Sequence, residues 1–204
     1  MDLLGLDGDE LEHLLWDRLF HRQLVGSGKR VLVDKTPDNV LRWARLRDAW
    51  PSARFLFLLR HPANILASAV EGGRDRDPGE LADQVLTYMT CLQDARQAPP
   101  GLTVRYEDLV GDPVPVLRQV CQFLGVEWVP EMLDYRTVEP GPFFYGVGDW
   151  GDKIRSGRVQ QDRPSPDPAE IPELVIPTCR VWGYLDDETM GGGDSASSAP
   201  DGPS

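Results

Sequence analysis

Six residues constrain this chain more than any others: Arg54–Leu59 (RFLFLL), an almost unbroken apolar run stopped abruptly by Arg60-His61-Pro62. A short apolar run without alternation suits a strand buried on both faces, which is the environment of a parallel sheet. Parallel strands need crossover connections, and the sequence supplies helices on either side. Pro62 stands where a proline is tolerated, in the first turn of a helix carrying Ile65, Leu66, Ala69 and Val70. After the polar Gly72–Pro78 loop, a longer helix is predicted to about Gln97, with Leu81, Val85, Tyr88 and Leu92 on one face.

The same alternation extends in both directions. Leu102–Tyr106 reads as a strand, and Asp112-Pro113 has the cap-then-proline signature of a helix that ends at Gly125. Upstream, Leu11, Leu14, Leu15 and Leu19 recur at helical spacing, and Arg30–Val33 is a β-branched run read as another strand. A helix is predicted from about Asn39 to Ala49. The expectation is an α/β fold with a parallel sheet and right-handed crossovers. A globular domain over residues 1–187 is followed by a low-complexity tail, 188–204, expected to be disordered.

Ligands of such sheets bind beyond the carboxyl ends of the strands. Three polar loops leave predicted strand ends: Asp34-Lys35-Thr36, Arg60-His61-Pro62 and Tyr106-Glu107-Asp108. They are expected on one rim. Arg60 and Ser68, eight residues apart, offer a guanidinium fork and a hydroxyl to one anion, although a solvated strand-end arginine and a backbone-bonded helix serine would read the same way. Lys35 could stabilise charge on a leaving group or lie solvated, with Asp34 read as its salt-bridge partner. Gly148–Arg158 gathers cations, a serine and glycines, either as an anion-binding nest or as a surface loop. Gly26-Ser27-Gly28-Lys29 resembles the end of a Walker A loop but precedes a predicted strand instead of following one, so it is read as a turn.

Charge narrows the function classes. A net charge of -12 argues against a general nucleic-acid binder, which needs a basic face, but not against one nucleotide held by a local basic cluster. Cys91, Cys121 and Cys179 lie far apart and form no metal pattern with His13, His21 and His61. The acidic amino terminus is unlike a signal peptide, and no apolar run approaches a membrane span. A soluble cytoplasmic protein is expected, without metal.

In order along the chain, these segments resemble the PAPS-dependent sulfotransferases, particularly the bacterial type. Asp34-Lys35-Thr36-Pro37 is similar to the family's lysine loop, Phe55–Ser68 (FLFLLRHPANILAS) to its 3′-phosphate segment, and Arg105–Leu109 (RYEDL) with Asp112-Pro113 and Phe123-Leu124-Gly125 to its "YEDL…DP…FLG" stretch. Asp149–Val159 (DWGDKIRSGRV) resembles the late loop that closes over the donor. The match spans about Val31–Tyr184.

The resemblance implies a P-loop-NTPase-like three-layer fold and sulfuryl transfer from PAPS (3′-phosphoadenosine 5′-phosphosulfate) to a hydroxyl or amine of a small-molecule, glycan or lipid acceptor. It assigns Arg60 and Ser68 to the 3′-phosphate and Tyr106 to the neighbourhood of the adenine. Lys153, Arg155, Ser156, Gly157 and Arg158 would make further donor contacts, and Lys35 would act on the bridging oxygen. It also implies departures. Nothing before Val31 reads as the family's first strand and glycine loop for the 5′-phosphosulfate, and Pro37 stands where a histidine base can occur. The chain is therefore expected to be a fragment, N-terminally truncated and poorly stable alone. A non-catalytic binding or scaffold relative, or a strand supplied by a separate chain, also fits. A P-loop kinase relative would need a Walker lysine and a magnesium-binding hydroxyl, which the sequence does not show. Acceptor, base and oligomeric state stay open.

Overall fold

The computed structural model describes residues 7–73, 76–98, 100–134, 159 and 163–186. They fall into two compact units that divide after Ala53.

The first unit begins with α1 (Gly8–Ser27). Asp7 and Glu10 form a reciprocal capping box at its start, and Gly28, at φ 64°, ends it in the left-handed conformation that glycine adopts without steric cost. The Gly26–Lys29 stretch is thus a helix terminus and not a phosphate loop. The helix expected from the leucine spacing forms, but it packs through a different side. Leu14, Leu15 and Leu19 are 43%, 57% and 51% exposed. Contacts come instead from the neighbouring face, where His13 and Phe20 meet the Trp50 ring at 4.7 and 5.8 Å. Glu12 pairs with Arg45 at 2.8 Å on the same side.

Thr36 precedes a 3-10 turn over Pro37–Arg42, which runs into α2 (Trp43–Ala49). The predicted helix from Asn39 therefore forms with a tighter first turn. The strand expected at Arg30–Val33 does not form: these residues lack regular structure, and Val33 is 74% exposed. A β-branched run becomes a strand only when a ladder pairs it, and the described sheet consists of two other strands.

The second unit contains β1 (Phe55–Leu59), α3 (Pro62–Gly72), α4 (Pro78–Gln97), β2 (Gly101–Arg105), α5 (Tyr106–Gly111), α6 (Pro113–Leu124) and α7 (Ile176–Val181). The strands β1 and β2 are parallel, paired from Phe55↔Gly101 to Leu59↔Arg105. A parallel pair requires the crossover that α3 and α4 provide. Asp77 caps α4 through the Glu80 amide, and Gly125, at φ 69°, ends α6 where the sequence predicts it. The core joins Leu59, Ala63, Leu66, Val85, Met89, Ile171, Val175, Cys179 and Trp182. Leu59 is 1% exposed, a burial worth roughly 1.5–3 kcal/mol. Only one face of β1 is covered by described residues, since Leu56 and Leu58 remain about half exposed.

Candidate functional site

The in-step register of β1 and β2 delivers the residues after each strand to the same end of the sheet. Arg60 follows Leu59, and Tyr106 follows Arg105. The Arg60 guanidinium carbon lies 4.8 Å from the centroid of the Tyr106 ring, within cation–π range. Both side chains are half-buried. Arg60 and Tyr106 are thus brought together, as the rim argument expected.

Beside them His61 caps α3, its Nδ1 accepting from the Ala63 amide at 3.2 Å. The His61 amide donates to Glu107 Oε1 at 2.7 Å, and the Tyr184 hydroxyl donates to Glu107 Oε2 at 2.8 Å. Burial first, and then the hydrogen bond to Glu107, push the Tyr184 phenol above its ordinary range, so it remains a donor. Arg105 completes the corner. Its Nη2 donates to the carbonyls of Trp182 at 2.8 Å and Gly183 at 3.1 Å, and its guanidinium carbon sits 4.3 Å over the Tyr184 ring.

Asn64, in the first turn of α3, is 7% exposed, and its Nδ2 has no hydrogen-bond partner among the described residues. A buried orphan donor of this kind is costly unless something accepts from it. Ser68 lies about two turns into α3 on an exposed position.

The Asp34–Thr36 loop lies in the first unit. Because Arg30–Val33 is not a strand, the reasoning that put this loop on the strand-end rim no longer applies. Lys35 is exposed. Its expected salt bridge to Asp34 is absent among the described residues: Asp34 accepts instead from Thr36 Oγ1 at 2.7 Å and Asn39 Nδ2 at 2.9 Å. These short-range neighbours occupy the carboxylate more rigidly than a flexible lysine would, at less entropic cost. Lys153, Arg155, Ser156, Gly157 and Arg158 lie outside the described residues.

The sulfotransferase family model matches residues 3–130. The chain belongs to the sulfotransferase family. A curated relative of this chain, omega-hydroxy-beta-dihydromenaquinone-9 sulfotransferase Stf3 of Mycobacterium bovis, is 26% identical over 211 aligned positions, covering 86% of the chain and 53% of the relative. The chain thus spans about half the length of that relative. Carbohydrate sulfotransferase 2 of Homo sapiens is 54% identical over a segment of 46 residues, 20% of the chain and 9% of that protein. Among solved structures, a sulfotransferase domain from the curacin biosynthetic pathway superposes with a TM-score of 0.60 at 20% identity, covering 91% of this chain and 77% of that one. A sulfotransferase domain from the Synechococcus PCC 7002 olefin synthase gives 0.57 at 25% identity, covering 85% and 64%. These likenesses agree with the α/β fold.

The sequence places His61 and Glu107 in rim loops without a role for either, and carries no local signal that Asn64, Arg105 or Tyr184 belongs to the site. Glu107 follows Tyr106 in RYEDL, which was the available signal. Tyr184 lies 77 residues from Glu107, and no local pattern announces their bond.

Proposed function

We propose that this sulfotransferase moves a sulfuryl group from PAPS to a hydroxyl acceptor. The observation that carries the reading is the Arg60–Tyr106 pair at the shared strand ends, a cation backed by an aromatic face. A 3′-phosphate and an adenine present those two needs side by side, and ATP lacks the former. The Asn64 Nδ2 orphan in the first turn of α3 favours an acceptor-rich ligand at this corner, because a phosphate oxygen would satisfy it. Ser68 is the further donor proposed for the 3′-phosphate. Lys153, Arg155, Ser156, Gly157 and Arg158 are proposed to close over the donor, with Arg158 on a phosphate.

In the reaction the acceptor oxygen attacks sulfur, and the bond from sulfur to the bridging 5′-phosphate oxygen breaks. The electron pair leaves with 3′-phosphoadenosine 5′-phosphate, and the acceptor proton is released. Lys35 is proposed to stabilise the charge that grows on the bridging oxygen. Its ammonium makes no ion pair among the described residues, since Asp34 is held by Thr36 and Asn39. The acceptors for which the relatives are named, an omega-hydroxy compound and a carbohydrate, favour a hydroxyl over an amine.

The test is acceptor-dependent release of 3′-phosphoadenosine 5′-phosphate from PAPS, using primary-alcohol, phenol and sugar acceptors. Release that requires an acceptor is expected. Release of ADP from ATP under the same conditions, without PAPS turnover, would contradict the reading.

A further inference from the structure

We propose that Glu107 is a positioning residue that holds the nucleotide corner in register and ties it to the carboxyl-terminal Tyr184. The inference rests on the donor reading above and goes beyond it, because Glu107 need not touch the nucleotide. Its two oxygens have separate tasks. Oε1 takes the His61 amide, and that peptide unit begins at the Arg60 carbonyl, so the bond fixes the backbone from which Arg60 projects over Tyr106. Oε2 takes the Tyr184 hydroxyl. Bonds to a carboxylate are stronger than neutral pairs, and the His61 amide and the Tyr184 hydroxyl lie 2.7 and 2.8 Å from its two oxygens.

Tyr184 is itself anchored. Arg105 caps the carbonyls of Trp182 and Gly183 and stacks on the Tyr184 ring. The His61 ring meets Tyr184 edge-on at 5.0 Å. Gly183 adopts φ 71°, which turns the chain so that Tyr184 faces the corner; a Cβ there would also lie 3.1 Å from Arg105 Nη2. The raised Tyr184 ionisation keeps the phenol protonated, and hence donating, across the neutral range. A segment 77 residues away in sequence therefore bears on the arginine proposed to read the 3′-phosphate.

A tie that only held the fold together would affect every ligand alike. A positioning role affects the 3′-phosphate most. The experiment measures calorimetric affinity of the full chain for 3′-phosphoadenosine 5′-phosphate and for adenosine 5′-phosphate, which lacks the 3′-phosphate. Glu107→Ala is expected to weaken the former about tenfold or more and the latter less than about threefold. Glu107→Gln keeps an acceptor for the His61 amide and is expected to retain the wild-type preference. Tyr184→Phe preserves the ring and removes only the hydroxyl, and should lose about three- to tenfold of that preference with an unchanged circular dichroism spectrum. It carries the test if Glu107→Ala does not fold. Equal weakening of both ligands, or no change in their ratio, in the folded variants would overturn the proposal while leaving the donor reading intact. Wild-type protein that binds neither nucleotide would overturn both.

Discussion

Arg60 lies over the face of Tyr106 although 46 positions separate them, because β1 and β2 run parallel with Leu59 opposite Arg105. One ladder therefore does the work of bringing a cation and an aromatic ring to one corner. The His61 bond to Glu107 lies at the same ladder end, and the turn at Gly183 brings Tyr184 to it.

Arg105 and Gly183 form the support of this corner, and both should be sensitive to change. Arg105→Ala removes two carbonyl bonds and a stacked aromatic contact and should destabilise the fold by about 1–3 kcal/mol in urea unfolding. Gly183→Ala forces a side chain into φ 71° and into Arg105, and should cost roughly 1–2 kcal/mol. Unchanged midpoints for both variants would show that the carboxyl-terminal turn is not held by this contact.

The fold was legible where short-range chemistry sufficed. Pro62 after an apolar strand, Asp112 before Pro113 and Gly125 after a helical period mark boundaries that the structure reproduces within a residue or so. Val31–Val33 misled because propensity describes a residue and a strand is a property of a pair. The α1 leucines gave the helix but not its packing side, which Trp50 decides from outside the helix. At the site, Arg60 and Tyr106 were legible through the logic of strand ends. The bonds of Glu107, Arg105 and Tyr184 were not, since their partners are fixed by register and by a turn 77 or more residues away.

Thiol chemistry gives an independent check of the core. Cys179 is fully buried, and burial pushes its thiol from the ordinary 9.0 up to about 11. Cys121 is also buried, whereas Cys91 is half-buried. Near pH 8 an aromatic disulfide reagent should therefore label Cys91 first and reach Cys179 only on unfolding. A raised folded-state ionisation favours the protonated form. The stability tied to Cys179 is thus full below pH 9.0 and is lost as pH rises through about 11. Urea midpoints from pH 7 to 11 should fall at the alkaline end, and Cys179→Ala should flatten that fall. Rapid labelling of Cys179 in the native protein would contradict this packing.

Lys35 separates binding from chemistry. If it acts on the leaving oxygen, Lys35→Ala should lower kcat by about 10²–10³ while leaving affinity for 3′-phosphoadenosine 5′-phosphate within about threefold. Lys35→Arg should restore part of kcat, since it restores charge. A loss confined to KM would place Lys35 in ground-state binding instead.

The central claim is that the corner of Arg60 and Tyr106 binds a nucleotide through its 3′-phosphate. Calorimetric titration of 3′-phosphoadenosine 5′-phosphate into wild type and Arg60→Ala tests it most directly. Saturable one-site binding by wild type, weakened at least about tenfold by the substitution, is the predicted result. Folded wild-type protein that gives no binding heat at several temperatures, or an Arg60→Ala variant that binds as tightly as wild type, would contradict it.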